Sequence, residues 1–470
     1  MQLRRTKIVC TIGPASESPE RIAQLIATGM NVARLNMSHG SHAEQANRAK
    51  LVRAAAIKQG KLVAILVDIR GPKMRVGRMR GGFVNLSENT CVTLTEKNIE
   101  GDGKTIPVDQ AGFLKKIQAG NRIYLDDGAL ELEVISVGRG GAECNVVIGG
   151  RLKDRKGITV PGVSFDLESI TAKDVIDIKF AASIKPDYVA QSFVKNADNV
   201  KEFRKRLDKN GCDASIIAKI EEPLGLRNID EIIAIADGVM VARGDLGVQM
   251  PFEDVPLAQK QIVLKCHRAN KPVIIATQML ESMINSPQPT RAEVADVANA
   301  ILDGADAVML SAETAAGNYP IRAVETMDRI ALKTESSLMV YDRVEKTRER
   351  LEPIEAIGKS VVYTARDLQA SAIITYTSSG HTARYISSYR PSTPIIATTA
   401  NERELRRLVL LWGVTPELVE KPTTTDDLVK KSVNAALRNG RVKKGDVVVI
   451  TAGIPLNQPG NTNLLKIHRI

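Results

Sequence analysis

The sequence predicts an α/β protein built on a (β/α)8 TIM barrel, interrupted by a small all-β lid domain and followed by an open-sheet α/β C-terminal domain. Three observations lead there. Short β-branched runs alternate with helix-patterned segments, as parallel strands joined by crossover helices do. Eight such runs, at 6–12, 31–36, 62–68, 188–193, 215–221, 238–243, 272–277 and 307–311, precede a change of pattern, and eight strands close a barrel. The gap between the third and fourth runs is far too long for a βα loop, so it holds a domain.

Taken in order, Ser18-Pro19-Glu20 after the first run reads as a helix start, and 291–300 is a helix leading into the eighth run. Between Gly71 and Gly162 the pattern turns to short strands punctuated by glycine, among them 122–128 and 129–137. This insertion is placed as a lid over the barrel mouth. A long amphipathic helix at 321–344 and a charged linker at 345–350 lead to further strands at 372–376, 394–398 and 446–451. The expected division is barrel 1–70 with 163–345, lid 71–162, and C-terminal domain 346–470. The first C-terminal strand runs into Thr377-Ser378-Ser379-Gly380-His381-Thr382. Hydroxyls and a glycine before a helix make either an anion cradle or a polar turn with a cap.

The composition is that of an ordinary globular protein. Of 470 residues, 43% are hydrophobic and 25% charged, with 65 Lys and Arg against 54 Asp and Glu giving +11. Such an excess favours an anionic partner. With 3% aromatics and no zinc-finger spacing or long basic block, nucleic-acid binding is disfavoured. The five cysteines are odd in number and scattered, which suits free thiols in a reducing compartment. No apolar stretch reaches membrane length, and the N-terminus passes into a strand without a signal core. A cytoplasmic location and no membrane partner are therefore expected.

Charge at the strand ends carries the chemistry. In a strand, residues two apart share a face, so Lys219 should point with Glu221 and Arg243 with Asp245, four groups converging on one spot. They form either an ion-pair network or an active site. Arg34, Asn36, Asp68, Thr277, Ser311 and Glu313 lie at the ends of other strands, and in a barrel these ends form the catalytic face. Oxygen ligands beside Lys and Arg suit a divalent metal with a phosphate or carboxylate substrate. The triplet Gly358-Lys359-Ser360 lacks the upstream glycine of a P-loop, with Pro353 in its place. His39 and His42 have no third ligand beside them and read as surface histidines.

Blocks spread over nearly the whole chain resemble the pyruvate kinase family: 6–14 (TKIVCTIGP), 34–40 (RLNMSHG), 68–72 (DIRGP), 241–247 (VARGDLG), 276–283 (ATQMLESM) and 309–315 (MLSAETA). The resemblance implies phosphoryl transfer from phosphoenolpyruvate to ADP. It implies that Arg34 and Lys219 grip the phosphoryl group, that Glu221 and Asp245 hold Mg²⁺ or Mn²⁺, and that Thr277 and Ser311, with Glu313 behind, relay a proton. Backbone at Arg243 and Gly244, with Asp245 and Thr277, would hold substrate, and Asn36, His39 and Arg75 would face the nucleotide. The 377–382 segment would take a phosphate-bearing effector, and the assembly would be a homotetramer.

Departures matter too. Many family members bind K⁺ through residues matching Asn36, Ser38 and Asp68 and a following threonine, and carry a glutamate shortly after. Here Ile69 lacks the hydroxyl and Lys73 replaces the glutamate. Lys73 is expected to stand in for K⁺, so that K⁺ is not required. Glu222 and Pro223 depart from the family pattern after the catalytic lysine. A nucleotide-contacting lysine appears as Asn196, with Lys195 one place earlier and so expected on the opposite strand face, and Ala316 replaces another lysine. The runner-up reading is a metal-dependent aldolase or lyase acting through an enolate; a non-enzymatic nucleotide- or sugar-phosphate-binding sensor is the third.

Overall fold

The computed structural model describes residues 4–163, 165, 167–337, 352–456 and 462–470. Eight parallel strands close a barrel: Lys7–Thr11, Val32–Asn36, Ala64–Ile69, Tyr188–Gln191, Ser215–Ile220, Gly238–Ala242, Val273–Ala276 and Ala307–Leu310, with the first paired to the last. Both faces of each strand are covered, which is why the runs are continuously apolar. Val9, Val32, Leu66, Ile217, Met240, Ile274 and Met309 fill the interior, with Leu410 of the C-terminal domain joining them. Their neighbours Ile8, Cys10, Ile65, Val67, Val239, Val241 and Val308 pack outward in the larger core.

The helix starts follow the sequence signals. Ser18 caps Pro19–Thr28, and Thr290 forms a capping box with Glu293 at the head of Arg291–Asp303. The long helix is Pro320–Glu335; the rest of the predicted stretch from 338 onward, and the 345–350 linker, lie outside the described residues. Gly358-Lys359-Ser360 sits inside the helix Pro353–Asp367, which excludes a phosphate loop there.

The insertion contains a six-stranded and a two-stranded sheet. It is not purely β, since Phe113–Lys116 forms one helical turn whose Phe113 is fully buried. The C-terminal sheet orders its strands Val414–Leu418, Ile395–Thr399, Ala372–Tyr376, Val447–Gly453 and Thr462–Arg469, the last antiparallel. The two outer strands escaped the sequence reading. As sheet edges they are half exposed and carry Pro416, Glu417, Lys466 and Arg469 among their apolar residues.

Candidate active site at the barrel mouth

Lys219 is the centre of the mouth. Its Nζ lies 2.8 Å from Glu221 Oε1 and 3.2 Å from Asp68 Oδ1, and donates to Ser192 Oγ at 2.7 Å. Asp68 Oδ2 accepts from Arg34 Nε at 2.7 Å, and Arg34 also donates to Thr11 Oγ1 at 3.0 Å. Burial opposes the charge on Lys219, yet Asp68 and Glu221 outweigh it and hold the ammonium above its usual range. Asp68, also buried, is held below the usual carboxylate range by Lys219 and Arg34. Glu221 goes the other way: burial pushes its carboxyl up, and the charge of Asp245 adds to this. Its second oxygen accepts from the Phe193 amide at 2.7 Å.

Asp245 stands in the short helix Arg243–Gln249, and its Oδ1 is bonded to Lys73 Nζ at 2.9 Å. Glu221 and Asp245 are a donor set that fits a divalent cation. Glu221 is driven up by burial and further by the charge of Asp245, which a bound cation would relieve, and Mg²⁺ commonly takes one or two protein carboxylates with substrate oxygens and waters completing its sphere. No group of three or more metal-ligating side chains occurs among the described residues.

Arg243 leaves this cluster, contrary to the strand-face expectation. The strand stops at Ala242 and a helix begins at Arg243, so alternation no longer governs its direction. Its guanidinium grips both oxygens of Asp296 at 2.7 Å and donates to the Thr277 carbonyl at 2.9 Å. Thr277 holds a left-handed backbone, φ +68°, costly for a β-branched residue. Its hydroxyl accepts from the Gly244 amide at 2.8 Å, which places Arg243, Gly244 and Thr277 in one interlocked unit.

Glu313 is 2% exposed, and burial raises its carboxyl. It accepts from the amides of Ser311 at 2.7 Å and Leu280 at 3.2 Å. Ser311 Oγ is buried without a hydrogen-bond partner.

After the second strand, Asn36 Oδ1 accepts from the Ser38 amide at 3.1 Å, and Gln45 fastens the loop through the carbonyls of Asn36 and His39. Burial, then the charges of Arg34, Arg70 and Arg75, push the His39 imidazole down. Arg70, within the 68–72 block, is near enough for its charge to act on His39, which the sequence reading did not anticipate. Arg75 Nε is buried without a partner. Lys73 is not gathered with Asn36, Ser38 and Asp68; its ammonium bonds Asp127 of the lid at 2.7 Å as well as Asp245, while Asp68 is taken by Arg34 and Lys219. Lys195 lines the cleft between barrel and lid with Lys73, Asp127, Glu222 and Asp245, whereas Asn196 caps the next helix. The strand had already ended at Gln191, so the strand-face argument did not apply to Lys195. His42 bonds Asp177 at 2.8 Å and stacks on Phe180.

In the C-terminal domain, 377–380 turn from the strand Ala372–Tyr376 into the helix His381–Ser388, with Gly380 at φ +75°, so that His381 and Thr382 open the helix. Thr377 and Thr382 are buried, and Thr382 Oγ1 bonds Thr462 Oγ1 at 2.8 Å. Arg384 donates to the Ser379 carbonyl at 2.6 Å, and Ser378 and Ser379 are half-buried.

The same architecture occurs in known proteins. The family described as pyruvate kinase, barrel domain, matches residues 3–324, and that described as pyruvate kinase, alpha/beta domain, matches 355–468. A pyruvate kinase of Geobacillus stearothermophilus is 49% identical over 99% of this chain and 80% of its own length. One from Sporosarcina psychrophila is 48% identical, over 100% and 81%. A crystal structure of a pyruvate kinase from Cryptosporidium parvum superposes with a TM-score of 0.91 at 36% identity, covering 99% of this chain and 96% of the other. The chain belongs to the pyruvate kinase family.

Proposed function

We propose that this enzyme transfers the phosphoryl group of phosphoenolpyruvate to ADP, giving pyruvate and ATP in the cytoplasm as the last ATP-forming step of glycolysis. The observation that carries the reading is the buried cluster of Asp68, Lys219 and Glu221, with Arg34 attached, at the C-terminal ends of barrel strands. Phosphoryl transfer needs positioning and charge stabilisation more than covalent chemistry. Arg34 and Lys219 supply the cations that hold the phosphoryl group as its bond to the enol oxygen breaks and its bond to the ADP oxygen forms. Glu221 and Asp245 would hold Mg²⁺ or Mn²⁺, which when bound would supply positive charge against the substrate's developing negative charge. Loss of the phosphoryl group leaves an enolate, whose methylene carbon takes a proton along Thr277 and Ser311, with Glu313 behind them. The Arg243–Gly244 backbone orients the substrate carboxylate, and Asn36, His39 and Arg75 face the nucleotide.

Lys73 makes the enzyme independent of K⁺, acting as a cation permanently attached beside the site. Its bonds to Asp127 and Asp245 support a resident charge in the cleft, and Ile69 provides no hydroxyl for a monovalent ion. The 377–382 turn binds a phosphate-bearing activator, and the chain assembles as a homotetramer; both rest on likeness to the family. The aldolase or lyase alternative gains no support from the relatives described above. A coupled assay tests the reaction: pyruvate must form from phosphoenolpyruvate only when ADP and a divalent cation are both present. Release of pyruvate without ADP would point instead to a lyase or a phosphatase.

A further inference from the structure

At the barrel mouth, the segment 38–41 between the second strand and the helix His42–Lys58 is exposed. It carries His39 and follows Asn36 at the strand's end. An exposed stretch of this kind keeps one conformation only if its ends are fastened, because ordering each residue costs entropy. Both ends lead to one carboxylate. Asp177, in the helix Ala172–Ile184, is 1% exposed. Its Oδ1 bonds His42 Nε2 at 2.8 Å, and its Oδ2 accepts from Lys173 Nζ at 2.5 Å. The same ammonium donates to the Met37 carbonyl at 2.9 Å. His42 is held further by stacking on Phe180 of that helix, the ring centroids 4.5 Å apart.

The helix that supplies these groups is itself fastened to the start of the lid. Asp174, one turn earlier and also buried, accepts from the Gly71 amide at 3.1 Å. Its other oxygen accepts from the Thr171 amide and hydroxyl, at 2.8 and 2.7 Å. The exposed segment and the lid hinge therefore share one frame. A buried carboxylate with two charged or polar partners is more than two packed helices need, since apolar residues of like volume join helices at least as well. What the polar groups add is direction: a carbonyl and an imidazole are fixed in place, one at each end of the exposed stretch.

We propose that Asp177 and Lys173 are positioning residues for the nucleotide: acting through His42 and Met37, they hold the segment between, with Asn36 and His39, in the geometry that receives ADP. This rests on the nucleotide-facing placement of Asn36 and His39 proposed above. A segment ordered in advance reduces the entropy that binding must offset. Loss of the hold therefore weakens ADP and leaves phosphoenolpyruvate, gripped by Arg34 and Lys219, as it was.

Steady-state kinetics of the full chain test this. In Lys173→Met the KM for ADP should rise about tenfold while kcat and the KM for phosphoenolpyruvate stay within about twofold, and calorimetry with ADP should show the same loss of affinity. Lys173→Arg, which keeps a donor for both oxygens, should recover most of it, and Asp177→Asn should act in the same direction as Lys173→Met. A KM for ADP that is unchanged in Lys173→Met, with only thermal stability lowered, overturns the proposal, as does a KM that rises equally for both substrates. His39→Ala separates the two readings. A raised KM for ADP in His39→Ala with none in Lys173→Met refutes the positioning role and leaves the nucleotide face standing, while no change in either refutes both. Should Asp177→Asn fail to fold, Lys173→Met decides alone, its side chain being 45% exposed.

Discussion

The two ends of the barrel both bury charge, and they use it differently. At the floor, Asp187 accepts from the Ile65 amide and Arg406, both at 2.8 Å. Asp306 accepts from the Val273 amide at 2.9 Å and from Arg390 at 3.0 Å, and Glu335 accepts from the amides of Arg5 and Thr6. These carboxylates tie strand starts to backbone and to arginines of the C-terminal domain. At the mouth, Asp68 and Glu221 share one lysine, Glu221 is held up rather than down, and Ser311 Oγ has no partner. Burial of charge is common to both ends. What separates them is that Asp187, Asp306 and Glu335 are matched to strand-start amides and arginines, while the mouth charges, on the function proposed above, are arranged for a substrate.

That contrast can be broken at several points. Glu221→Gln should weaken Mn²⁺ binding by more than about 100-fold, since loss of a ligand exceeds the cost of losing its supporting hydrogen bonds; electron spin resonance reads free Mn²⁺ directly, and unchanged affinity would remove Glu221 from the metal site. At the floor, Arg390→Met leaves Asp306 buried and without its cation. It should cost about 3–5 kcal/mol of stability in urea unfolding, with KM for phosphoenolpyruvate unchanged. Lys73→Met should create a K⁺ requirement, with activity in tetramethylammonium salts falling roughly tenfold, on the order of 1.4 kcal/mol, and recovering when K⁺ is added. Equal activity in both salts would show that Lys73 is not the resident cation.

A further break concerns Lys7 at the floor, bonded to the Val414 carbonyl at 2.8 Å. Burial, and then Arg4, lower its ammonium from 10.5 to about 7. Between these values the unfolded chain binds more protons than the folded one, so stability rises with pH across that window. Lys7→Met lacks this linkage. Its stability relative to the parent should therefore be greatest near pH 7 and decline towards pH 10; a difference that is flat with pH would contradict the assignment.

The fold was legible because barrel strands, apolar on both faces, write themselves as unbroken Val and Ile runs. The edge strands Val414–Leu418 and Thr462–Arg469 were not, because one side of each meets solvent and tolerates charge. In the site, Lys219 and Glu221 were legible through strand alternation, which carries as far as the first residue past Ile220. Arg243 and Lys195 were misdirected because each lies beyond its strand's end, where turn and helix geometry set direction. The partners of Lys73 could not be read from local sequence: Asp245 is 172 residues away, and the contact exists only because the inserted lid folds back on the barrel.

The central claim is that mouth charges serve the reaction while floor charges serve the fold. Lys219→Met measured beside Arg390→Met tests it most directly, using ADP-dependent pyruvate formation and thermal unfolding on both. Lys219→Met should lose at least roughly 10²–10³-fold in kcat while unfolding as a cooperative, folded protein, and Arg390→Met should unfold at lower temperature with kcat retained. A Lys219→Met variant that keeps its kcat would contradict the account.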